Sequence, residues 1–237
     1  MTAILTSVRN LAEACEAAAA GADLIDLKEP SDGALGAVDL EEIRRIVPVL
    51  RARWPDRPIS ATIGDLPADA HTERRLRVRA VARCGVDYVK AGIAPGLHAS
   101  AAIDSLCSLD AAIVPVFLCD DGIDLALINY AAQRGMAGVM VDTADKSRGS
   151  LLSHADVDAL AGLVAIAVRH GCLSGIAGSL RLEDAALLQH LAPDFAGFRG
   201  ALCTGNRQGR FDAAKLVELR RALTIPTTVE RALSSGA

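Results

Sequence analysis

Short apolar segments alternate with amphipathic segments along almost the whole chain, and this alternation is the strongest constraint on the fold. The apolar segments are four to six residues long and rich in Val and Ile, a composition that favours β-strands. The segments between them are rich in Ala and Arg, and their apolar residues recur with the period of a helix. Eight such pairs fit within the 237 residues.

The boundaries of these segments follow from their apolar patterns and from the turn residues between them. The predicted strands are Ala3–Ser7, Leu24–Lys28, Ile59–Ile63, Tyr88–Gly92, Ile113–Leu118, Gly138–Asp142, Leu173–Ala177 and Gly197–Gly200. The predicted helices are Leu11–Ala20, Leu40–Arg53, Thr72–Cys84, Ala99–Leu106, Asp124–Arg134, His154–His170, Leu182–His190 and Asp212–Leu223. Glycines follow or end four of the helices, at Gly21, Gly85, Gly135 and Gly171, as is common at helix C-termini.

Apolar strands that are joined by helices predict an α/β fold with a parallel sheet covered on both faces. Eight βα units in a chain of this length match a single (β/α)8 TIM barrel. A doubly wound open sheet is the alternative, but it often has a Gly-rich phosphate turn after its first strand, which this chain lacks. We expect the barrel to span residues 1–224 and the polar residues 225–237 to form a flexible tail.

The composition argues against several classes of function. A net charge of -4 and an aromatic content of 3% argue against nucleic-acid binding, which needs a basic face and stacking rings. No apolar run reaches the roughly 18 residues of a membrane span. Glu13 and Glu16 interrupt the Ala-rich segment near the N-terminus, which therefore does not resemble a signal peptide. We expect a cytoplasmic protein without a membrane partner.

The cysteines and histidines do not form the pattern of a metal site. Six cysteines are scattered without a C-x-x-C pair, so we expect small buried residues rather than disulfides or zinc ligands. Five histidines occur singly, without the spacing that places two of them on one metal. We predict no metal ligands.

Only four of the 25 basic residues are lysines. Arg stays protonated in proteins whereas Lys can lose its proton, so the lysines are the first candidates for chemistry. Lys28 ends the second predicted strand, Lys90 lies within the segment DYVKAGI around the fourth, and Lys146 lies just beyond the sixth. Because a (β/α)8 barrel carries its active site at the C-terminal ends of its strands, we expect these three lysines to meet there. Lys215 lies in the last predicted helix, where we expect a surface cation.

Carboxylates occur at the same strand ends as the lysines. Asp26 lies two residues before Lys28 and shares its face of the strand, Asp142 ends the sixth strand, and Asp65 follows the third. Pairing with these carboxylates would tune the position and the pKa of a lysine. A lysine amine beside a second cation can attack a carbonyl and form a Schiff base, which is the chemistry of lysine-dependent aldolases and lyases.

Glycine-rich segments after the seventh and eighth strands predict a phosphate-binding site, since phosphate sites of these barrels frequently use those two loops. The candidate residues are Gly178, Ser179, Gly200 and Arg199, with Arg207 and Arg210 as weaker candidates. Arg199 could make a bidentate contact to a phosphate. The predicted substrate is therefore a small phosphorylated carbonyl compound.

Six segments together resemble one enzyme family. GADLIDLKEPSDGALGA, SATIGD, DYVKAGI, VMVDTADK, GIAGSL and GFRGALC are similar to segments of the (5-formylfuran-3-yl)methyl phosphate synthases, and the similarity extends from the first strand to the last helix. That family consists of small (β/α)8 lyases of methanofuran biosynthesis. The resemblance implies that two molecules of glyceraldehyde 3-phosphate condense with loss of phosphate and water, without a metal or organic cofactor.

The resemblance also implies roles for five residues. Lys28 would form the Schiff base, Lys90 would relay protons, and Asp26, Asp142 and Lys146 would belong to the same site. Two alternatives stay open: another Schiff-base or Asp/Lys-dependent sugar-phosphate aldolase or decarboxylase, and an inactive barrel that binds a phosphorylated metabolite and signals through a partner. Barrels of this size often associate, so we expect a homo-oligomer.

Overall fold

A computed structural model of the protein describes residues 1–153 and 155–224. Eight strands close into a barrel in chain order, and every neighbouring pair, including β8 with β1, is parallel. The single (β/α)8 barrel predicted from the alternation is therefore confirmed. The tail that we expected to be flexible, residues 225–237, lies outside the described residues.

The strands and helices alternate without exception in the described part of the chain. The strands are β1 (Ala3–Val8), β2 (Leu24–Leu27), β3 (Ile59–Thr62), β4 (Tyr88–Ile93), β5 (Ile113–Leu118), β6 (Gly138–Asp142), β7 (Leu173–Ile176) and β8 (Phe195–Phe198). The helices are α1 (Leu11–Ala19), α2 (Leu40–Arg53), α3 (His71–Ala82), α4 (Ala99–Cys107), α5 (Leu125–Gln133), α6 (Val157–His170), α7 (Ala185–Leu191) and α8 (Ala213–Thr224). None of the described helices is long and apolar enough to cross a membrane.

Side-chain caps explain where several helices begin. The Asp39 carboxylate accepts the backbone N–H of Glu41 at the start of α2, and Asp156 caps α6 in the same way. This cap starts α6 at Val157, three residues after the predicted start at His154, which is itself outside the described residues. Gly171 ends α6 in the left-handed conformation, with a φ of 65°.

The eighth strand lies two residues earlier than the sequence predicts. Phe195 and Ala196 pair with Gly175 and Ile176 on β7 and are buried, so they belong to the barrel wall. Gly200 instead begins a short 3-10 turn after the strand. The difference places Arg199 just beyond the wall rather than within it.

The core has two parts. The larger part lies between the outer faces of the strands and the helices, and the smaller part fills the barrel itself. Strand residues of the inner part include Leu5, Val114, Val116, Met140 and Phe195. These apolar residues fill the barrel below its C-terminal end, so polar groups that point inward gather above them.

Candidate active site

The C-terminal ends of the strands surround a cavity of about 450 Å³. Its charged lining residues are six cations and one carboxylate: Lys28, Lys90, Lys146, Arg181, Arg199, Arg207 and Asp142. The three lysines predicted to meet at this end of the barrel thus line one cavity. The excess of positive charge contrasts with the net charge of -4 of the whole chain and suits a phosphorylated ligand.

Lys90 and Asp26 form a fully buried ion pair between β4 and β2. The Lys90 Nζ lies 2.7 Å from Asp26 Oδ1, and the two side chains are 2% and 0% exposed. Ser7 and Ser60 donate hydrogen bonds of 2.9 and 2.8 Å to the same carboxylate. Burial lowers the pKa of Lys90, and the charge of Lys28 lowers it further, although Asp26 acts in the opposite direction. The pair therefore holds an amine that loses its proton more readily than an ordinary lysine.

Asp142 is shared by the other two lysines. Its Oδ2 lies 3.4 Å from the Lys28 Nζ, and its Oδ1 accepts a hydrogen bond from the Lys146 Nζ and one of 2.8 Å from the Thr143 N–H. Burial alone would raise the pKa of the Asp142 carboxyl, but Lys146 and Lys28 lower it to about 2. Asp142 is therefore an anion at neutral pH.

Lys146 has the most described hydrogen bonds of the three lysines. Its Nζ also donates to the Thr143 backbone oxygen, and its side chain is 15% exposed. Burial lowers the pKa of Lys146, and Lys28 and Arg207 lower it further against the effect of Asp142. Lys28, by contrast, has only the 3.4 Å contact to Asp142 among its described ion pairs.

The glycine-rich segments predicted to bind phosphate line the same cavity. Gly178 and Ser179 follow β7 and have positive φ values of 120° and 50°, and Gly200 follows β8. A side chain at position 178 would come within 2.9 Å of Leu151, so only glycine fits there without displacing this neighbour. The backbone of both loops thereby reaches the cavity.

Arg199 lines the cavity but has no hydrogen-bond donor left for a phosphate. Its guanidinium bonds both oxygens of Glu13, at 2.5 and 3.2 Å. It also donates to the backbone oxygens of Ser7, Arg207 and Gly209, so its five N–H groups are all engaged. These contacts correct the expectation of a bidentate phosphate contact: Arg199 fastens the β8–α8 loop to β1 and α1.

Two further candidates lie away from the cavity lining. Asp65 is exposed, and its carboxylate accepts the backbone N–H of Leu35 at 3.2 Å, so it caps the β2–α2 loop instead of facing the site. Arg210 is exposed and lies 3.6 Å from Glu16. Arg207 does line the cavity, where it donates a 3.0 Å hydrogen bond to the Gly33 backbone oxygen.

Sequence reasoning missed the polar partners that orient the site. Ser7 and Ser60 hold Asp26, and Glu13 holds Arg199. A serine inside an otherwise apolar strand is the available signal, because a buried hydroxyl needs a partner. Among the described residues, no group of three or more His, Cys, Asp or Glu side chains could hold a metal ion.

Comparisons with known proteins identify the family of the chain. The family described as 4-HFC-P synthase matches residues 4–220. A (5-formylfuran-3-yl)methyl phosphate synthase of Methanosarcina mazei is 34% identical over 218 residues, covering 86% of this chain and 92% of the relative. A Methylorubrum extorquens protein that provisionally carries the same name is 35% identical over 221 residues, covering 93% of this chain and 91% of the relative.

Solved structures share the fold at low sequence identity. Phosphoribosyl anthranilate isomerase from Thermus thermophilus superposes with a TM-score of 0.67 at 15% identity, covering 94% of this chain and 98% of that one. The 3-hexulose-6-phosphate synthase of Salmonella typhimurium gives 0.63 at 16% identity, with the same coverage. The family match over nearly the whole chain is more specific, and the chain is therefore an enzyme of the (5-formylfuran-3-yl)methyl phosphate synthase family.

Proposed function

We propose that the enzyme condenses two molecules of glyceraldehyde 3-phosphate into (5-formylfuran-3-yl)methyl phosphate through a Schiff base on Lys28. The products that balance the reaction are one inorganic phosphate and two molecules of water, which makes the enzyme a lyase. The observation that carries the proposal is the convergence of three lysines and the Asp142 carboxylate on one cation-rich cavity, with Asp26 buried against Lys90.

Lys28 is the best candidate for the nucleophile because its amine is the least firmly held. Its contact to Asp142 is 3.4 Å long, whereas Lys90 and Lys146 are both closely paired. The amine adds to the aldehyde carbon, and loss of the hydroxyl group as water leaves an iminium ion. The Asp142 carboxylate stabilises that cation, because it stays anionic and lies beside it.

Lys90 is the best candidate for the proton relay. The iminium ion acidifies the C–H bond of the neighbouring carbon, and a base must take that proton. The lowered pKa of Lys90 provides a neutral amine for this step. The electron pair left on carbon then expels phosphate from the adjacent carbon. Bond formation to the second molecule and loss of two molecules of water close the furan ring, and hydrolysis of the iminium by one water releases the aldehyde and frees Lys28.

The cations of the cavity suit a reaction in which both substrates carry phosphate and one phosphate leaves. Arg207 and the loops around Gly178 and Gly200 line the same cavity as the lysines. Arg207 is the phosphate ligand that we propose in place of Arg199, because its guanidinium reaches the cavity and has a single described hydrogen bond, to Gly33.

The test is incubation of the enzyme with glyceraldehyde 3-phosphate alone. We expect a new furan-aldehyde absorbance and one phosphate released per furan formed. Triose phosphates lose phosphate spontaneously, so a blank without enzyme and the Lys28→Ala variant set the background. Phosphate release at the blank rate without a furan chromophore would overturn the proposal. A sugar-phosphate product that keeps both phosphates would indicate the alternative aldolase.

We also propose that the product serves the synthesis of a methanofuran-type one-carbon carrier in the cytoplasm, and that the barrel forms a homo-oligomer. Loss of the carrier after gene deletion, with recovery when the furan phosphate is supplied, tests the first point. Light scattering of the purified enzyme tests the second, and a monomeric mass would overturn it.

A further inference from the structure

The β2–α2 loop, residues 28–39, places an apolar side chain inside the barrel. Leu35 is 1% exposed and belongs to the inner core with Val114, Val116 and Met140, all of which lie on strands. Ala34, the preceding residue, belongs to the same cluster. The loop that follows the proposed nucleophile Lys28 therefore turns back and plugs part of the barrel mouth.

Gly92 provides the space that Leu35 occupies. A side chain on Gly92 would begin 2.9 Å from the Leu35 Cδ1, which is closer than such atoms approach. Gly92 lies two residues after Lys90 on β4, so both residues face the interior of the barrel. Leu35 consequently lies beside Gly92, in the layer next to that of Lys90 toward the C-terminal ends of the strands.

Hydrogen bonds fix the loop at Leu35 and at Gly36, the residue after it. Its own N–H donates to the Asp65 carboxylate at 3.2 Å. The Gly36 oxygen accepts a 2.7 Å bond from the Thr62 hydroxyl and a 2.9 Å bond from the Glu29 N–H. Thr62 ends β3, and Asp65 lies three residues after it. The strand beside β4 and the segment that follows it therefore hold the β2–α2 loop in place.

The charges around Lys90 come from two other strands. Asp26 on β2, Lys28 directly after that strand and Asp142 on β6 act on its amine. Its register partners on β3 and β5, Thr62 and Val114, carry no titratable group. Burial from water is the largest cause of the lowered pKa of Lys90. The degree of burial depends on what covers β4 above Lys90.

We propose that Leu35 is a positioning residue for Lys90: its side chain takes the place of a Gly92 side chain, shields the Lys90–Asp26 pair from bulk water and leaves the cavity as the route to the amine. The importance of this shield for catalysis rests on the proposed function, because there Lys90 relays protons. The shielding itself does not depend on that function.

Competitive labelling with acetic anhydride tests the shield directly, since the chain has only four lysines and mass spectrometry can quantify each one. Labelling is measured above the pH range in which lysines titrate, where every amine is neutral and the rate reports access alone. We expect Leu35→Ala to increase the labelling rate of Lys90 relative to that of Lys215 by roughly tenfold or more, since each tenfold corresponds to about 1.4 kcal/mol less cost of opening the site to the reagent. Leu35→Met should label like the wild type, and Leu35→Val should fall between. Placing Gly92→Val in the Leu35→Ala background should restore slow labelling.

Unchanged Lys90 labelling in folded Leu35→Ala and Leu35→Val would overturn the proposal. Leu35→Val keeps the proposal testable if Leu35→Ala does not fold.

The pH profile of kcat gives a second measurement. Hydration removes the burial that lowers the pKa of Lys90, so the rising limb should move to higher pH in Leu35→Ala. A purely structural role would lower kcat without moving the limb. If no furan forms from glyceraldehyde 3-phosphate, the proposed function fails while the labelling result still stands.

Discussion

Two buried charge clusters at the same end of the barrel differ in what their cations can do. The lysine cluster consists of Lys28, Lys90, Lys146, Asp26 and Asp142, and the arginine cluster consists of Arg199 and Glu13. Both clusters connect distant segments and both are nearly closed to solvent. In the arginine cluster all five guanidinium N–H groups have acceptors, and an arginine does not release its proton.

In the lysine cluster, by contrast, the N–H donors are not all paired with acceptors among the described residues. Lys28 has one long contact, and the pKa values of Lys90 and Lys146 are lowered by burial. An amine with few contacts can turn toward a substrate, and an amine with a lowered pKa can exchange a proton. The difference indicates that the lysine cluster performs chemistry and the arginine cluster holds the framework, so substitutions in the two should have separable effects.

The largest expected effect is on Lys28. Lys28→Arg keeps the charge beside Asp142 but removes the nucleophilic amine, so activity should fall by roughly 10⁴-fold or more, the scale of losing a covalent nucleophile. Borohydride with substrate should add mass to Lys28 in the wild type and leave the variant unmodified. Lys215→Arg, at the remaining lysine, is the matched control and should keep full activity. An adduct on another lysine would contradict the assignment.

Lys90 should come next. Lys90→Arg preserves the charge opposite Asp26 but cannot release a proton, so kcat should fall about 10²- to 10⁴-fold, the range of general acid–base catalysis. In the wild type the neutral amine is the active base, so kcat should rise with pH through the lowered pKa of Lys90. A pH profile measured under substrate saturation checks this. A limb at the pH of an ordinary lysine would show that Lys90 is not the base.

The sequence could predict the lysine cluster but not the arginine cluster, for a physical reason. Lys28 directly follows β2, and Lys90 lies within β4 with its side chain on the inner face, so the barrel rule brings the two together from local pattern alone. Arg199 also follows a strand, yet its partner Glu13 is 186 positions away on a helix, and no local pattern reveals that pair. The same limit applies to Leu35, whose environment depends on Gly92.

Breaking the arginine cluster should change stability rather than chemistry. Glu13→Gln leaves the buried Arg199 guanidinium without its counter-ion, and removal of one partner of such a pair costs about 3–5 kcal/mol. Urea unfolding at neutral pH measures the loss. Glu16→Gln, on the exposed face of the same helix, should unfold like the wild type. A kcat loss in Glu13→Gln without a change in unfolding free energy would remove the distinction between the two clusters.

The smallest expected effect is on Arg207, which lies outside the arginine cluster. Arg207 lines the cavity and has one described hydrogen bond, so Arg207→Ala should weaken substrate binding while leaving the lysines in place. A charge-assisted hydrogen bond is worth about 1.5–3 kcal/mol, so KM should rise roughly tenfold to a hundredfold while kcat stays nearly constant.

Inhibition by inorganic phosphate should weaken in Arg207→Ala by the same factor as KM rises, because both would report loss of one anion contact. Arg207→Lys should recover part of the affinity, since it keeps the charge but loses the planar fork. Arg210→Ala is the matched control, because Arg210 lies three residues further along the same loop, pairs with Glu16 and does not line the cavity. If Arg207→Ala instead lowered kcat at constant KM, Arg207 would act on the reacting atoms, and the chemistry would not be confined to the lysine cluster.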